Sequence, residues 1–294
     1  MFIGAIETAT QFTRPIHTIE RFYGSKEVHP GAATMFFVNS DGWALTCKHV
    51  ANMLIVSDQF AKLKTDFEAD FSAMRGKKKE KQIIRELEQK YNLNNKTVFE
   101  IKNLFVNCIE GNLDLQITVH PDLDIALLYF KNFSRLLCTV FPVFPRDTAN
   151  LKQGKFLCRL GFPFPEFTNF EYTQDADTIN WTRTGRDITP IFPIEGMLTR
   201  HLVAQNGQVV GFELSTPGLR GQSGGPAFDM DGKVWGMQSA TNHLDLNFDV
   251  NVEVIRIGQK KTIRNSAFLH VGHCVHVDIL KSFMKQHNVV FQEE

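Results

Sequence analysis

Short apolar runs separated by turn-forming residues recur along most of this chain, and they predict strands. Ala33–Val38 and Trp43–Thr46 flank Asn39-Ser40-Asp41-Gly42, a strong hairpin signal. Val98–Ile109, Leu115–Val119 and Ile125–Phe130 follow. Phe141–Asn150, with two prolines, reads as a linker. Beyond it come Lys155–Leu160, then Met197–Ala204 and Val209–Leu214 around Asn206-Gly207. Pro226–Phe228 and Lys233–Gln238 flank Asp231-Gly232, and Phe268–Val277 closes the set. Short strands and turns at this spacing predict an all-β protein of two antiparallel barrels.

Two segments leave the period-two pattern. Ile279, Leu280, Phe283 and His287 share a helical face, so Asp278–His287 is predicted as a C-terminal helix. Phe60, Leu63, Phe67, Phe71 and Met74 recur at steps of three and four. Gly76 and Lys77–Lys79 interrupt the stripe, and Ile83, Ile84, Leu87 and Tyr91 resume it. Asp58–Lys96 therefore reads as an αα-hairpin. Its apolar stripe needs a surface, either the first barrel or another protein.

Candidate chemistry converges on three motifs. Gly221-Gln222-Ser223-Gly224-Gly225-Pro226 places a serine in a glycine-rich turn, where backbone N–H groups can gather around a developing oxyanion. Leu45-Thr46-Cys47-Lys48-His49-Val50 carries an apolar strand into a histidine. Asp124-Ile125-Ala126-Leu127 opens another apolar strand on an acid. Histidine, aspartate and serine in this order, with these flanks, resemble the trypsin-like (chymotrypsin-fold) serine peptidases. The closest resemblance is to the bacterial branch that includes the HtrA-type proteases, with their L-T-x-x-H-V, D-I-A-L and G-x-S-G-G-P motifs. It spans about residues 30–285.

The resemblance implies two six-stranded antiparallel β-barrels of chymotrypsin type. Residues 1–140 would carry His49 and Asp124, with the helical insertion at 58–96. Residues 141–294 would carry Ser223 and end in a helix. It implies a serine endopeptidase with Ser223 as nucleophile, His49 as base and then acid, and Asp124 orienting the imidazole. Asp124 is preferred to Asp122 because it directly precedes Ile125. The backbone N–H groups of Gly221 and Ser223 would form the oxyanion hole, and Ser239 would contact Asp124 at the wall of the substrate cleft. The substrate is a protein or peptide, and no metal or organic cofactor is expected. Gln222 stands where secreted trypsins place an aspartate that receives a freed N-terminal ammonium, so activation by that route does not carry over. The rival reading is a catalytically inactive peptidase-like binding module that recruits a partner through the helical insertion, and a third is an active protease held latent until a protein regulator engages that insertion.

Three further features adjust this picture. His270, His273 and His276, beside Cys274, suggest a zinc site only if they lie on a helix. The stretch reads as strand, which puts His273 on the face opposite His270 and His276. The resemblance places Gly272 and His273 near the primary specificity pocket, which makes His273 a candidate specificity residue. Lys+Arg and Asp+Glu balance at 32 each, so no basic field recruits nucleic acid or an anionic membrane. Five cysteines without paired spacing, and an N-terminus lacking a secretory pattern, point to a reduced cytoplasmic protein.

Overall fold

The computed structural model describes residues 2–256 and 258–294. Two β structures carry the chain, each made of six strands. The first uses β1 (Thr13–Phe22), β2 (His29–Phe37), β3 (Trp43–Thr46), β4 (Val98–Phe105), β5 (Asp114–Val119) and β6 (Ala126–Lys131). They pair in the order β4-β1-β2-β3-β6-β5, an open sheet rather than the closed barrel expected. Among the described residues no ladder joins β4 to β5. Ile16, Met35, Phe37, Leu45, Leu127 and Phe130 fill the interior of this half.

The second half closes into a barrel. Its strands are β7 (Phe156–Arg159), β8 (Ile194–Val203), β9 (Val209–Leu214), β10 (Pro226–Phe228), β11 (Val234–Arg256) and β12 (Gln259–His276). They run β7-β8-β9-β12-β11-β10 around the circuit. The strand spans expected here are met within a few residues, except that β11 and β12 extend much further. Beyond Thr241 and Gly272 these two strands pair with each other alone, forming a two-stranded arm. Leu246, Phe248, Val250, Val252 and Phe268 are exposed along it.

Helix α1 (Ile3–Phe12) and strand β1 lie outside the sequence expectation. Ala5, Ala9 and Phe12 share the buried face of α1. Phe2, just before it, meets Phe228 of β10 edge to face at 6.4 Å, so the N-terminus spans both halves. The expected αα-hairpin is present as α2 (Lys48–Met74) and α3 (Glu80–Lys90). Its first helix begins at Lys48, well before Asp58. Phe67 packs edge to face on Tyr23 and Phe99, with ring centroids at 5.8 and 5.6 Å, and Ile83 and Leu87 are buried. The stripe thus covers the first sheet. Helix α4 (Val277–Gln286) follows β12 directly and buries Ile279, Leu280, Phe283 and Met284. The expected linker 141–150 contains Val143–Phe144, which pairs in parallel with Gln292–Glu293 near the chain end.

Candidate active site

His49 sits in the first turn of α2, directly after β3. The helix has no side-chain cap of its own, because Cys47 occupies the N-cap. Asp124 fills that need from the loop before β6. Its Oδ1 accepts the backbone N–H of His49 at 3.0 Å, which caps an orphan donor of the first turn. The same carboxylate meets the ring, with His49 Nδ1 2.9 Å from Oδ2. One acid therefore fixes both the backbone and the ring of His49.

Ser239 supports Asp124 from the second half. The β11–β12 register shifts between Gln238 and Ala240, leaving Ser239 as the unpaired residue of a bulge. Its hydroxyl donates to Asp124 Oδ2 at 2.5 Å. Burial pushes the Asp124 carboxyl up, but the hydrogen bonds from the His49 ring, Ser239 and the His49 N–H outweigh it and hold the group down at about 2. A carboxylate ionised at neutral pH holds Nδ1 as the protonated nitrogen, which leaves Nε2 as the acceptor.

Ser223 lies on the turn between β9 and β10, and that turn is anchored to the first half through Thr34. The N–H of Thr34 donates to the Ser223 carbonyl at 3.1 Å, and its hydroxyl donates to the Gly221 carbonyl at 2.7 Å. Gly221 has φ +96° and Gly224 φ +89°, the left-handed region where a side chain is strained. A Cβ on Gly224 would overlap the Thr34 carbonyl and the Thr46 hydroxyl, so the turn docks onto β2 and β3 at backbone contact. Among the described residues, neither the Gly221 nor the Ser223 N–H donates to a protein acceptor. The amide of Gln222 is engaged inside the fold, donating to the Phe192 carbonyl and accepting from the Leu219 N–H.

The Ser223 hydroxyl donates to the Ser239 carbonyl at 3.2 Å, and no hydrogen bond joins it to His49 among the described residues. Beside it opens a cavity of about 420 Å³, walled by Pro217, Gly218, Gln238, Ser239 and Thr241 with His270 at one side. His273 is not among its lining residues. Its Nε2 instead meets the buried Glu213 carboxylate at 2.9 Å, which also pairs with Arg200. The histidines of β12 separate as a strand requires. His270 meets His243, His273 meets Glu213, and His276 caps α4 by accepting the Asp278 N–H.

Cys47, His49 and Asp124 bring three donor atoms within 4.8 Å of one another. The Cys47 thiol is buried and donates to the Gln238 carbonyl at 3.2 Å, and burial pushes its ionisation well above the ordinary value. The group is a neutral thiol beside an already committed His–Asp pair, a poor donor set for a cation.

One residue of this region escaped the sequence reading. Arg159 of β7 is fully buried and donates to Gln238 Oε1 at 2.7 Å. The available signal was a charged residue inside the apolar run Phe156-Leu157-Cys158-Arg159-Leu160.

The chain matches the family model of the trypsin-like peptidase domain over residues 33–237, most of its length, and it belongs to that family. The matched span contains His49, Asp124 and Ser223. A search of curated proteins returns no match.

Proposed function

We propose that this protein is a serine endopeptidase. The observation that carries the reading is the convergence at one seam of three separated segments. These are the first turn of α2 with the His49 ring, the loop before β6 with the ionised Asp124 that orients the ring, and the glycine turn that carries Ser223 and two unengaged N–H groups. In the reaction the Ser223 hydroxyl turns from the Ser239 carbonyl toward Nε2 of His49. Oγ attacks the scissile carbonyl carbon as its proton passes to Nε2. The carbonyl oxygen becomes an oxyanion facing the N–H groups of Gly221 and Ser223. Asp124 stabilises the imidazolium without taking its proton. The C–N bond then breaks, and Nε2–H protonates the departing amine. Water, giving a proton to Nε2 of His49, next attacks the acyl-enzyme ester; the C–Oγ bond breaks, Nε2–H returns the proton to Oγ, and the acid and free Ser223 are released.

Labelling with a fluorophosphonate probe tests the reading, because that reagent reports an activated serine without knowledge of the substrate. Wild-type protein is expected to label and Ser223→Ala to remain unlabelled. A wild type that stays unlabelled across pH 6–9 would favour the binding-module reading. That alternative draws support from the Ser223 hydroxyl, which rests on Ser239 rather than on His49.

Two finer points complete the proposal. The quoted motifs support a place near the bacterial branch, while the five buried free cysteines support a reduced compartment such as the cytoplasm. The α2–α3 hairpin is proposed to govern access or partner recruitment, since it supplies none of the reacting groups except through the first turn of α2.

A further inference from the structure

Arg159 is an arginine out of place. It is fully buried, yet among the described residues no carboxylate lies within ion-pairing distance of it. The other fully buried arginine, Arg21, has both Glu100 and Asp177. Buried charges are ordinarily paired, because an unpaired ion in the interior forfeits its hydration. Arg159 has only neutral dipoles around it. It donates to the Thr216 carbonyl at 2.9 Å, the Thr216 hydroxyl at 2.6 Å, the Pro217 carbonyl at 3.1 Å and Gln238 Oε1 at 2.7 Å. Its Nε has no partner.

These contacts lead to the cavity beside Ser223. Pro217 and Gln238 both line it. The Gln238 amide accepts from the guanidinium at Oε1 and donates from Nε2 to the Ala240 carbonyl at 2.7 Å. That polarised amide carries the buried charge to the cavity wall. Two glycines make room for the arrangement. A Cβ on Gly272 would overlap Arg159 Nη1, and one on Gly218 would overlap the Gln238 amide. The remaining ionisable side chains of the wall are Arg220, His243 and His270, with no aspartate or glutamate among the lining residues. The nearby acid Glu213 is already held by Arg200 and His273.

We propose that this cavity receives an acidic side chain, so that the enzyme cleaves on the carboxyl side of glutamate or aspartate. The substrate carboxylate supplies the counter-charge that Arg159 lacks in the free protein. A clamp that merely held the Thr216 and Pro217 carbonyls would require donors but no uncompensated cation beside the cavity. Arg159 is a positioning residue that acts through Gln238. The proposal rests on the peptidase reading and names its substrate class.

The test is a set of fluorogenic peptides identical except at the residue before the cleaved bond, with Glu, Gln, Asp, Asn, Leu and Lys compared by kcat/KM. Wild-type protein is expected to favour Glu over Gln, or Asp over Asn, by at least about tenfold, a discrimination within reach of one charge-assisted interaction. Arg159→Met should collapse that ratio, with the loss concentrated on the acidic substrate. Arg159→Lys, which keeps the charge, should retain the direction of the preference. If Arg159→Met does not fold by circular dichroism, the Lys variant and the wild-type ratios decide. Fluorophosphonate labelling without any acidic preference would overturn this inference and leave the peptidase standing. Equal loss on all substrates in a folded Arg159→Met would reduce Arg159 to a structural clamp. Absence of both labelling and cleavage would remove the peptidase reading, and the inference with it.

Discussion

Replacing Gly221 with alanine should damage the site in a measurable proportion. At φ +96° an L-residue is strained, at a cost of roughly 1–2 kcal/mol. The added Cβ would also lie 2.6 Å from the Phe162 carbonyl oxygen, 2.9 Å from Pro163 Cα and 3.1 Å from the Ala32 carbonyl oxygen. All three neighbours are backbone, so none can swing aside, and the overpacking adds roughly 1–3 kcal/mol. Gly207 provides the control. It has φ +83° with nothing within 4 Å of the built Cβ, so Gly207→Ala incurs the conformational cost alone. At about 2 °C per kcal/mol for a chain of this size, Gly207→Ala should lower Tm by about 2–4 °C and Gly221→Ala by about 4–10 °C. The turn must shift to relieve the overlap, and its N–H groups shift with it. Fluorophosphonate labelling should then slow by about 100-fold or more in Gly221→Ala, the effect of losing one oxyanion donor, and stay unchanged in Gly207→Ala. Differential scanning calorimetry and a labelling time course read both outcomes. Equal Tm values for the two variants, with equal labelling, would refute the packing argument and the place of Gly221 in the oxyanion hole.

Other perturbations probe the remaining parts. Asp124→Asn should cut kcat/KM by about 10⁴-fold while leaving the fold intact, because an amide no longer selects the ring tautomer; activity within tenfold of wild type would remove Asp124 from the mechanism. The folded carboxyl of Asp124 is depressed from 3.8 to about 2, so its contribution is present above pH 4 and lost as pH falls toward 2. The stability gap between wild type and Asp124→Asn should therefore narrow on acidification by no more than about 2 kcal/mol, read by urea unfolding at pH 6 and pH 2.5. A gap that does not change with pH would contradict this account. Phe67→Ala should cost about 3 kcal/mol, since the ring packs on both Tyr23 and Phe99. A neutral effect would show that the hairpin rests loosely on the sheet.

The parts legible in the sequence were those set by short-range chemistry. Asn39–Gly42 and Asp231-Gly232 announce their hairpins because few residues tolerate those turns, and β3, β9 and β10 fall where expected. The setting of Ser223 on a glycine turn, of His49 after an apolar strand and of Asp124 before one was legible because each is a local pattern. Closure of the first barrel was not. It depends on whether β4 and β5 meet, a long-range pairing that no window of sequence encodes. Strand β1 was missed because Arg14, Pro15, His17, Thr18 and Glu20 break its apolar run. Most of those polar positions are buried or half-buried in the fold, beside partners distant in sequence. The arm formed by β11 and β12 was missed for the opposite reason. Its residues face solvent on both sides, so burial imposes no clear alternation there.

The start of α2 shows how a single side chain moves an element boundary. The apolar stripe alone places the helix at Asp58, because its regular spacing begins near Phe60. Lys48–Ser57 has little to recommend a helix start: no side-chain cap and no acid in the first turn. Asp124 supplies both the hydrogen bond and the negative charge from another segment, worth about 1 kcal/mol in capping and a further fraction from the helix dipole. The consequence reaches function. The helix that carries His49 is the same helix that, about five turns on, packs Phe67 against Tyr91 at the end of α3 and against Tyr23 and Phe99 of the first half. A force applied at the hairpin and a change in the ring of His49 are thus joined by one continuous backbone, with Asp124 as the point that resists. Loss of the Asp124 contact would free the ring and weaken the first turn together, so under the proposed function any regulation through the hairpin would share that anchor with His49.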